Sequence, residues 1–370
     1  MKILYFCKTS LQSNTSVGVL KKVYGHLRCM YKNGNNVYFA NFVRDELVIK
    51  NSNLEQESVI RFQSKLDSYE KLINIIKKYD FDIIYIRYTF SNYYFMRFLD
   101  EVKLSIPTLK IVMEIPTYPY DGELANHEKT LFLDTYFRKY LKEYVDRIIL
   151  WNEYEKVFDI PTIIVKNGVE VEKISVHKPK ETNNILNLIG VANVSKWHGY
   201  DRIIEGLKIY YNNDNEVKVF FYIVGEGAEL NNLKNLVSNL KLEKYVIFEG
   251  VKIDRDLDNC YNNCHLAVSA LGIHRVGMPN RSTLKSVEYC AKGIPFLVGH
   301  KEENFSEKFP FIMQLPSNDE PANIRKIVEF YAQIKHNRDL SSIMRQYAID
   351  NLTWDVTMKP LFNYFNSINL

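Results

Sequence analysis

The residues with the clearest chemical potential lie between Asn280 and Pro295, where a polar turn precedes a short helix and an apolar strand. Ser282 and Thr283 are good N-cap residues, so the amides after them, including that of Leu284, point out of the helix start. The positive end of the helix dipole lies behind these amides. Such a helix end can hold a diphosphate.

Lys285 and Glu288 lie on the same predicted helix. Glu288 comes about one and a half turns, or roughly 8 Å, after the caps. That distance fits the step from a pyrophosphate to the hydroxyls of its ribose, so the spacing suits a nucleotide. A capped helix with one lysine and one glutamate is also common as plain structure, and the surrounding elements have to decide between the two interpretations.

Two polar loops follow predicted strands in the first half of the chain. The loop from Lys8 ends with Gly18 at a helix start, where the missing side chain lets a ligand approach. The loop from Glu114 to Glu123 contains three carboxylates, two tyrosines and two prolines. We expect Glu114, at the strand end, and Tyr118 to lie on the side of a second substrate.

The second half offers three further loops. Lys196 precedes a helix and could neutralise a phosphate as a point charge, although a solvated loop lysine is an equal alternative. Gly225 and Gly227 follow a strand and allow close approach to a planar base, or simply a tight turn. Arg275 lies on a long glycine-spaced loop, and with Lys285 it could balance a departing diphosphate.

These loops depend on a regular alternation of strands and helices. Apolar, strand-like runs between amphipathic segments predict parallel sheets covered by helices on both faces. The predicted strands are 2–7, 36–41, 82–87, 110–114, 147–151, 162–165, 185–190, 218–224, 246–249, 265–269 and 295–298. The predicted helices are 17–32, 69–79, 92–103, 128–144, 200–211, 228–240 and 282–292.

The fold class is therefore α/β, with two Rossmann-like doubly wound domains that face each other across a cleft. We place an N-terminal domain at 1–168 and a second domain at 169–352, divided at a turn and polar stretch near Gly168. Residues 353–370 form a helix whose apolar stripe, which includes Phe362, could pack on the first domain. Ligands of such folds bind at the carboxyl ends of the strands.

Composition limits the class of protein. The 370 residues suit two domains, and 46% hydrophobic and 25% charged residues are globular values. A net charge of +4 argues against a dedicated nucleic-acid binder. The short apolar start stops at Lys8, too soon for a secretory signal, so we expect a cytoplasmic protein. Cys260, Cys264 and His265 lack a completing cluster, and we expect no metal site.

Several motifs in this order resemble one family. They are Asn167-Gly168-Val169, Gly225-x-Gly227, Phe248-x-Gly250, Lys285-x-x-Glu288-Tyr-x-Ala-x-Gly-x-Pro295 and a late Trp354. Together they resemble a glycosyltransferase of the GT-B fold, family 4 type, also called glycosyl transferases group 1. The resemblance covers nearly the whole chain and is most specific between residues 185 and 298.

The resemblance implies transfer of a sugar from a nucleotide diphosphate sugar, with retained anomeric configuration, no metal and no other cofactor. By position, Glu288 matches the glutamate that binds the donor ribose. Asn280 stands where the family has its other glutamate, and Val191 where it has an arginine. Lys196 matches the family's lysine, and Arg275 or Lys285 would supply the missing charge.

In the first half of the chain, Glu114 or Tyr118 occupies the region of a family histidine near the acceptor. Gly18 is what remains of a glycine pair and is expected to contact the donor. The implied acceptor is a glycan or a lipid-linked saccharide of bacterial surface polysaccharide synthesis. A basic helix face could place the protein peripherally on the inner face of a membrane, although a helix must solvate one side in any case. The residues of that face are Lys21, Lys22, Arg28 and Lys32.

Two other functions remain open at this point. A nucleotide-sugar epimerase on the same architecture would release a modified donor without needing an acceptor. A catalytically inactive protein that binds sugar nucleotides would fit the departures at Asn280 and Val191.

Overall fold

The chain forms two α/β units in a computed structural model. The structure describes residues 1–8, 17–124, 127–180, 182–213, 215–277, 283–306 and 308–368. One unit comprises Met1–Lys166 and Thr357–Leu370, and the other comprises Asn167–Val356. The chain therefore passes from the first unit to the second and back again. The sequence places these divisions at 168/169 and 352/353.

A nine-stranded sheet forms the centre of the first unit. Its strands are β1 (Lys2–Cys7), β2 (Asn36–Val43), β3 (Glu46–Lys50), β4 (Gln56–Arg61), β5 (Ile83–Arg87), β6 (Lys110–Glu114), β7 (Arg147–Leu150), β8 (Lys156–Val157) and β9 (Ile160–Ile164). They are ordered β4-β3-β2-β1-β5-β6-β7-β9-β8. The central strands are parallel, and β1 and β5 are buried along nearly their whole length, as expected for strands covered on both faces.

The edges of this sheet differ from the purely parallel arrangement predicted from the sequence. β3 and β4 extend β2 as an antiparallel meander, and β8 pairs antiparallel with β9. β4 has no fully buried side chain, and only Val59 and Ile60 among its six residues are apolar. It therefore lacks the continuous apolar run that identifies a buried parallel strand.

Four helices connect the strands of the first unit. They are α1 (Val17–Lys32), α2 (Lys65–Tyr79), α3 (Tyr93–Ser105) and α4 (Glu128–Phe137). Ser64 caps α2 by accepting the Asp67 N–H, and Asn92 caps α3 by accepting two N–H groups. The helix predicted over 128–144 is α-helical only to Phe137 and continues as a 3-10 helix over Arg138–Glu143.

A six-stranded sheet forms the centre of the second unit. Its strands are β10 (Ile185–Val191), β11 (Lys218–Val224), β12 (Val246–Gly250), β13 (Leu266–Val268), β14 (Phe296–Val298) and β15 (Ile312–Gln314). They are ordered β12-β11-β10-β13-β14-β15, and every neighbouring pair is parallel. β15 is a short edge strand that the sequence pattern does not indicate. The parallel order brings the carboxyl ends of β10, β11 and β13 to one edge of the sheet.

The helices of the second half are α5 (Tyr200–Tyr211), α6 (Leu230–Leu240), α7 (Asp254–Asn262), α8 (Leu284–Lys292), α9 (Ile324–Ile334), α10 (Leu340–Asn351), α11 (Trp354–Thr357) and α12 (Lys359–Ile368). Three short 3-10 helices cover Val171–Lys173, Lys196–His198 and Ile273–Val276. α7 was not predicted, because its sequence is mostly polar and buries little more than Tyr261. Within the described ranges, no helix has the length and apolar content to cross a bilayer.

The last helix belongs to the first unit. α12 buries Leu361, Phe362 and Phe365, the apolar stripe expected from the sequence. The guanidinium of Arg147, at the start of β7, lies 4.8 Å from the ring centroid of Tyr364 on α12. Each unit otherwise has its own apolar core between its sheet and its helices.

Candidate functional site

A side-chain cap marks the N-terminus of α8. Thr283 has an extended backbone, and its hydroxyl accepts the Ser286 N–H at 3.2 Å. Thr283 is therefore the N-cap, and Leu284 begins the helix. Ser282 and Asn280, which the sequence analysis singled out, lie outside the described residues.

Buried polar side chains support this helix start from behind. Ser269, just after β13, and Ser286 are both wholly buried, and the Ser286 hydroxyl lies 2.8 Å from that of Thr283. The Glu302 carboxylate accepts the Thr283 N–H at 3.3 Å, and His300 Nε2 lies 3.2 Å from the same carboxylate. A carboxylate beside a helix N-terminus is stabilised by the helix dipole. The sequence analysis missed His300 and Glu302, although both follow the predicted strand 295–298.

Lys285, on the first turn of α8, reaches across to the loop after β10. Its Nζ lies 3.2 Å from His198 Nε2. Burial, and then the Lys285 charge, lower the pKa of His198 to about 3, so the imidazole is neutral. On the other side of the ring, Nδ1 accepts the Ser195 N–H at 3.0 Å. The Ser195 backbone thus fixes the imidazole that contacts Lys285.

Glu288 lies three residues after Lys285, which places both on one face of α8. Burial lowers the pKa of Lys285, and the nearby Glu288 charge opposes that shift. Both side chains are only partly buried. The helix therefore presents a cation and an anion one turn apart, close to its N-terminus, as the sequence predicts.

Arg275 is held by carboxylates instead of being available to a phosphate. Its guanidinium donates two hydrogen bonds to Asp201, at 2.9 and 2.7 Å, and one to Asp319 at 2.6 Å. A fourth hydrogen bond, at 3.0 Å, goes to the backbone carbonyl of Lys196. The bonds to Lys196 and Asp201 fix the 3-10 helix Ile273–Val276 to the loop after β10 and to the start of α5. The Lys196 side chain itself is exposed.

Gly225 and Gly227 let two loops at the carboxyl ends of β10 and β11 approach each other. Their φ angles are +119° and +150°. A Cβ at Gly225 would lie 2.0 Å from the Ala192 carbonyl oxygen, and one at Gly227 would lie 2.3 Å from Val194 backbone atoms. Close packing of backbone against backbone therefore explains both glycines.

In the first unit, Glu114 lies at the end of β6 as predicted, but it is wholly buried. Its Oε2 accepts hydrogen bonds from Tyr5 at 3.0 Å and Tyr85 at 3.1 Å, and its Oε1 accepts one from Arg87. Burial opposes ionisation, yet the Arg87 guanidinium and then His26 hold the pKa of Glu114 well below its usual range. The expectation that Glu114 contacts a substrate directly is not met, because its neighbours enclose it.

Tyr118 and Gly18 are more accessible. Tyr118 is partly exposed, and its ring packs edge-on against Tyr154 at a centroid distance of 4.9 Å. Gly18 is exposed near the start of α1, and a Cβ there would meet no atom of the described residues within 4 Å. Among the described residues, no cluster of three or more His, Cys, Asp or Glu side chains could hold a metal ion.

Comparison with protein families gives a match in the second half of the chain. Residues 171–307, which lie within the second unit and include β10 to β14 and α8, match the family described as glycosyl transferases group 1. No curated protein sequence gives a significant match to the chain.

Solved structures share the whole fold at low sequence identity. A glycosyltransferase from Rickettsia africae is similar with a TM-score of 0.68 and 14% identity, over 100% of this chain and 98% of that one. Anabaena HepE in complex with UDP has a TM-score of 0.67 and 13% identity, over 99% of this chain and 100% of that one. Sucrose-phosphate synthase from Thermosynechococcus elongatus has a TM-score of 0.64 and 13% identity, over 100% of this chain and 99% of that one. The chain therefore has the GT-B fold.

Proposed function

We propose that the chain is a glycosyltransferase that moves a sugar from a UDP-sugar to a saccharide acceptor with retained anomeric configuration, because residues 171–307 match the glycosyl transferases group 1 family. The observation that supports this most directly is the start of α8, where Lys285 and Glu288 share one face beside a helix N-terminus. The choice of UDP follows the neighbour that was solved with UDP bound.

The donor would bind along α8. The amides of Leu284 and Lys285 and the dipole of α8 favour the diphosphate at the helix start. The Thr283 hydroxyl would frame the same end of the helix. Glu288, one turn further on, would accept hydrogen bonds from the ribose hydroxyls.

The chemical step would need little more than charge and position. The bond between the sugar anomeric carbon and the diphosphate oxygen breaks, and the acceptor oxygen forms its new bond on the same face. The acceptor proton passes to the departing diphosphate. Negative charge grows on that diphosphate, so the Lys285 ammonium stabilises the transition state more than the ground state.

The remaining predicted residues take different parts in this proposal. Lys196 would add charge from its exposed side chain. Arg275 would act by holding the loop of Lys196 in place through its backbone hydrogen bond. Gly18 would leave room for a ligand near the start of α1, and Tyr118 would offer an aromatic face to the acceptor. The reaction we propose uses no metal and no cofactor besides the sugar nucleotide, and chelator treatment should leave turnover unchanged.

The acceptor class and cellular setting follow the family resemblance. We propose a glycan or lipid-linked saccharide of bacterial surface polysaccharide synthesis, with the enzyme in the cytoplasm and in peripheral contact with the membrane. A panel of nucleotide sugars, assayed with and without saccharide acceptors, tests the proposed donor and acceptor classes. Epimerised donor without acceptor would support an epimerase instead, and donor binding without turnover would support an inactive binder.

Replacement of Glu288 by alanine tests the donor site. It should raise the donor KM by roughly 10- to 100-fold, the effect of one or two lost hydrogen bonds to a charged group, with a smaller change in kcat. The exposed Glu329→Ala on α9 is a matched control and should behave as wild type. An unchanged KM for the donor in Glu288→Ala would remove Glu288 from the site.

A further inference from the structure

A buried pair of ionisable side chains lies behind the start of α8. His300 and Glu302 follow β14 and are 0% and 6% exposed. His300 Nε2 lies 3.2 Å from Glu302 Oε2. The other carboxylate oxygen, Oε1, accepts the N–H of Thr283, the residue that caps α8, at 3.3 Å. The chemistry proposed above gives this pair no role, although the pair contacts the helix end at which the donor diphosphate would bind.

The His300 ring lies between two hydrogen-bond acceptors. Its Nδ1 lies 3.3 Å from the backbone carbonyl oxygen of Ala270, and its Nε2 faces the Glu302 carboxylate. A carbonyl oxygen and an ionised carboxylate only accept, whereas a neutral imidazole carries a single N–H. A neutral ring would therefore turn a lone pair towards one of the two oxygens, at a wholly buried position where such a contact is costly. A ring with a proton on each nitrogen satisfies both acceptors.

Glu302 has the partners of an ionised carboxylate. Besides the Thr283 N–H, the Thr283 hydroxyl lies 3.5 Å from Oε2. Backbone N–H donors and the positive end of a helix dipole are common partners of a carboxylate anion. His300 and Glu302 thus form a buried imidazolium–carboxylate pair with no net charge.

The net charge of the pair matters for the proposed donor site. The diphosphate would bind at the amides of Leu284 and Lys285, the two residues directly after the cap that Glu302 holds. A carboxylate without a counter-charge would repel the diphosphate there, because like charges that water screens poorly cost affinity. The imidazolium cancels this repulsion. Glu302 can then fix the cap without opposing the donor.

We propose that His300 is the buried counter-charge that lets Glu302 hold the start of α8 without repelling the donor diphosphate. Both are positioning residues, since Glu302 acts through Thr283 and His300 acts through Glu302. The inference rests on the proposed function for the identity of the ligand. The charge of the pair is a property of the chain by itself and can be measured without a donor.

Nitrogen NMR of the full chain, prepared with isotope-labelled histidine and recorded at neutral pH without nucleotide, tests the charge. The signal that disappears in His300→Gln identifies the ring. We expect both ring nitrogens of His300 to carry a proton. A ring protonated on one nitrogen alone would overturn the proposal.

Calorimetric titration with UDP tests the effect of the charge on the donor site. His300→Gln leaves the Glu302 carboxylate without its counter-charge, so UDP affinity should fall by roughly tenfold or more. Adding Glu302→Gln removes that charge and keeps an amide oxygen that can accept the Thr283 N–H. The double variant should therefore recover most of the lost affinity. Wild-type affinity in His300→Gln, or a double variant that binds no better than His300→Gln, would contradict the proposal.

The double variant separates charge from packing, because a purely structural role predicts that a second substitution at the pair adds to the damage. His336→Gln and Glu329→Gln make the same changes at exposed positions and should bind UDP as wild type. Thermal unfolding of every variant reports separately on folding. The charged neighbours on the same segment and on α8 are unchanged in all variants; they are Lys301, Glu303, Lys285 and Glu288.

The two measurements also distinguish this inference from the proposed function. A wild-type chain that does not bind UDP would contradict the proposed donor site. The NMR result decides the charge of His300 in either case.

Discussion

The buried His198 restrains the position of the charged Lys285 side chain. A free lysine has many rotamers, but the contact of its Nζ with Nε2 of the neutral His198 imidazole, at 3.2 Å, restrains the side chain. The histidine is positioned in turn by the backbone of Ser195. Pre-organisation of this kind reduces the reorganisation needed when charge develops on a leaving group.

Variants of Lys285 and His198 should distinguish the effect of the Lys285 charge from the effect of its fixed position. Lys285→Ala should reduce kcat by about 100- to 1000-fold, as expected for the loss of one transition-state donor. His198→Ala should reduce kcat by roughly tenfold and leave the donor KM nearly unchanged, because the charge remains but is less restrained. His198→Gln, whose amide group can also hydrogen-bond to lysine, should recover part of the loss. Steady-state kinetics measure all three, with the exposed Lys326→Ala as control; full activity in His198→Ala would refute the positioning role.

At the scale of residues, the sequence indicates the charged side chains of the candidate site better than it indicates the residues that they contact. Lys285 and Glu288 follow from a local pattern, since both lie on one helix whose cap is adjacent in the chain. Arg275 does not, because its carboxylate partners are 74 and 44 residues away and no local signal marks them. A phosphate-binding role and an ion-pair role for an arginine look the same until long-range contacts are known.

At the scale of elements, buried parallel strands were the most predictable part of the fold. The predicted strands 2–7, 110–114 and 218–224 coincide with β1, β6 and β11, because burial on both faces requires a continuous apolar run. β4 and α7 escaped prediction since water contacts much of their surface and their sequences carry little periodic signal. The predicted loops therefore follow the observed buried strands. Edge strands form only by pairing with distant parts of the chain, so the local sequence gives little sign of them.

Two glycines of the candidate site should respond in opposite ways to the same substitution. Gly225→Ala has to adopt φ near +119° and places a Cβ 2.0 Å from a carbonyl oxygen, so the free energy of unfolding should fall by more than about 1 kcal/mol. Gly18→Ala lies on a helix and meets none of the described atoms within 4 Å, so it should be neutral or stabilising by a few tenths of a kcal/mol. Urea denaturation measures both. An equally stable Gly225→Ala would mean that the two loops are not in close contact.

At the scale of the whole molecule, buried histidines should make the protein sensitive to mild acid. Burial lowers the pKa of His177 to about 4 and that of His198 to about 3. Unfolded histidine titrates near 6.5, so the unfolded chain binds more protons below that pH. Stability is therefore complete above pH 6.5 and is lost as the pH falls towards 4, by about 1.4 kcal/mol per pH unit for each histidine.

Urea midpoints at pH 7.5, 6.5 and 5.5 test this dependence before most carboxylates titrate. His177→Asn, which can still donate to the carbonyls of Tyr261 and Cys264 that accept from the ring, should reduce the slope. The exposed His336→Asn should leave the slope as it is. Identical slopes in wild type and His177→Asn would show that this histidine is not buried in its neutral form.

Removal of α12 tests the division of the chain between units. Truncation after Met358 exposes the surface that Leu361, Phe362 and Phe365 cover, at a cost of roughly 2 kcal/mol for each side chain. Hydrogen exchange should therefore become faster in β7 and β9 of the first unit and stay unchanged in β10 and β11. Uniform acceleration across both sheets would contradict the assignment of α12 to the first unit.

The return of the chain to the first unit also sets an order of events during synthesis. The ribosome completes Asn167–Val356 as one uninterrupted stretch, but it delivers the last helix of the first unit only after that stretch has emerged. The surface of the first unit that Phe362 and Phe365 cover therefore stays exposed to water during this time. The second unit, in contrast, already has all of its strands. Newly made chains are exposed to aggregation and to chaperones chiefly through the half that is translated first.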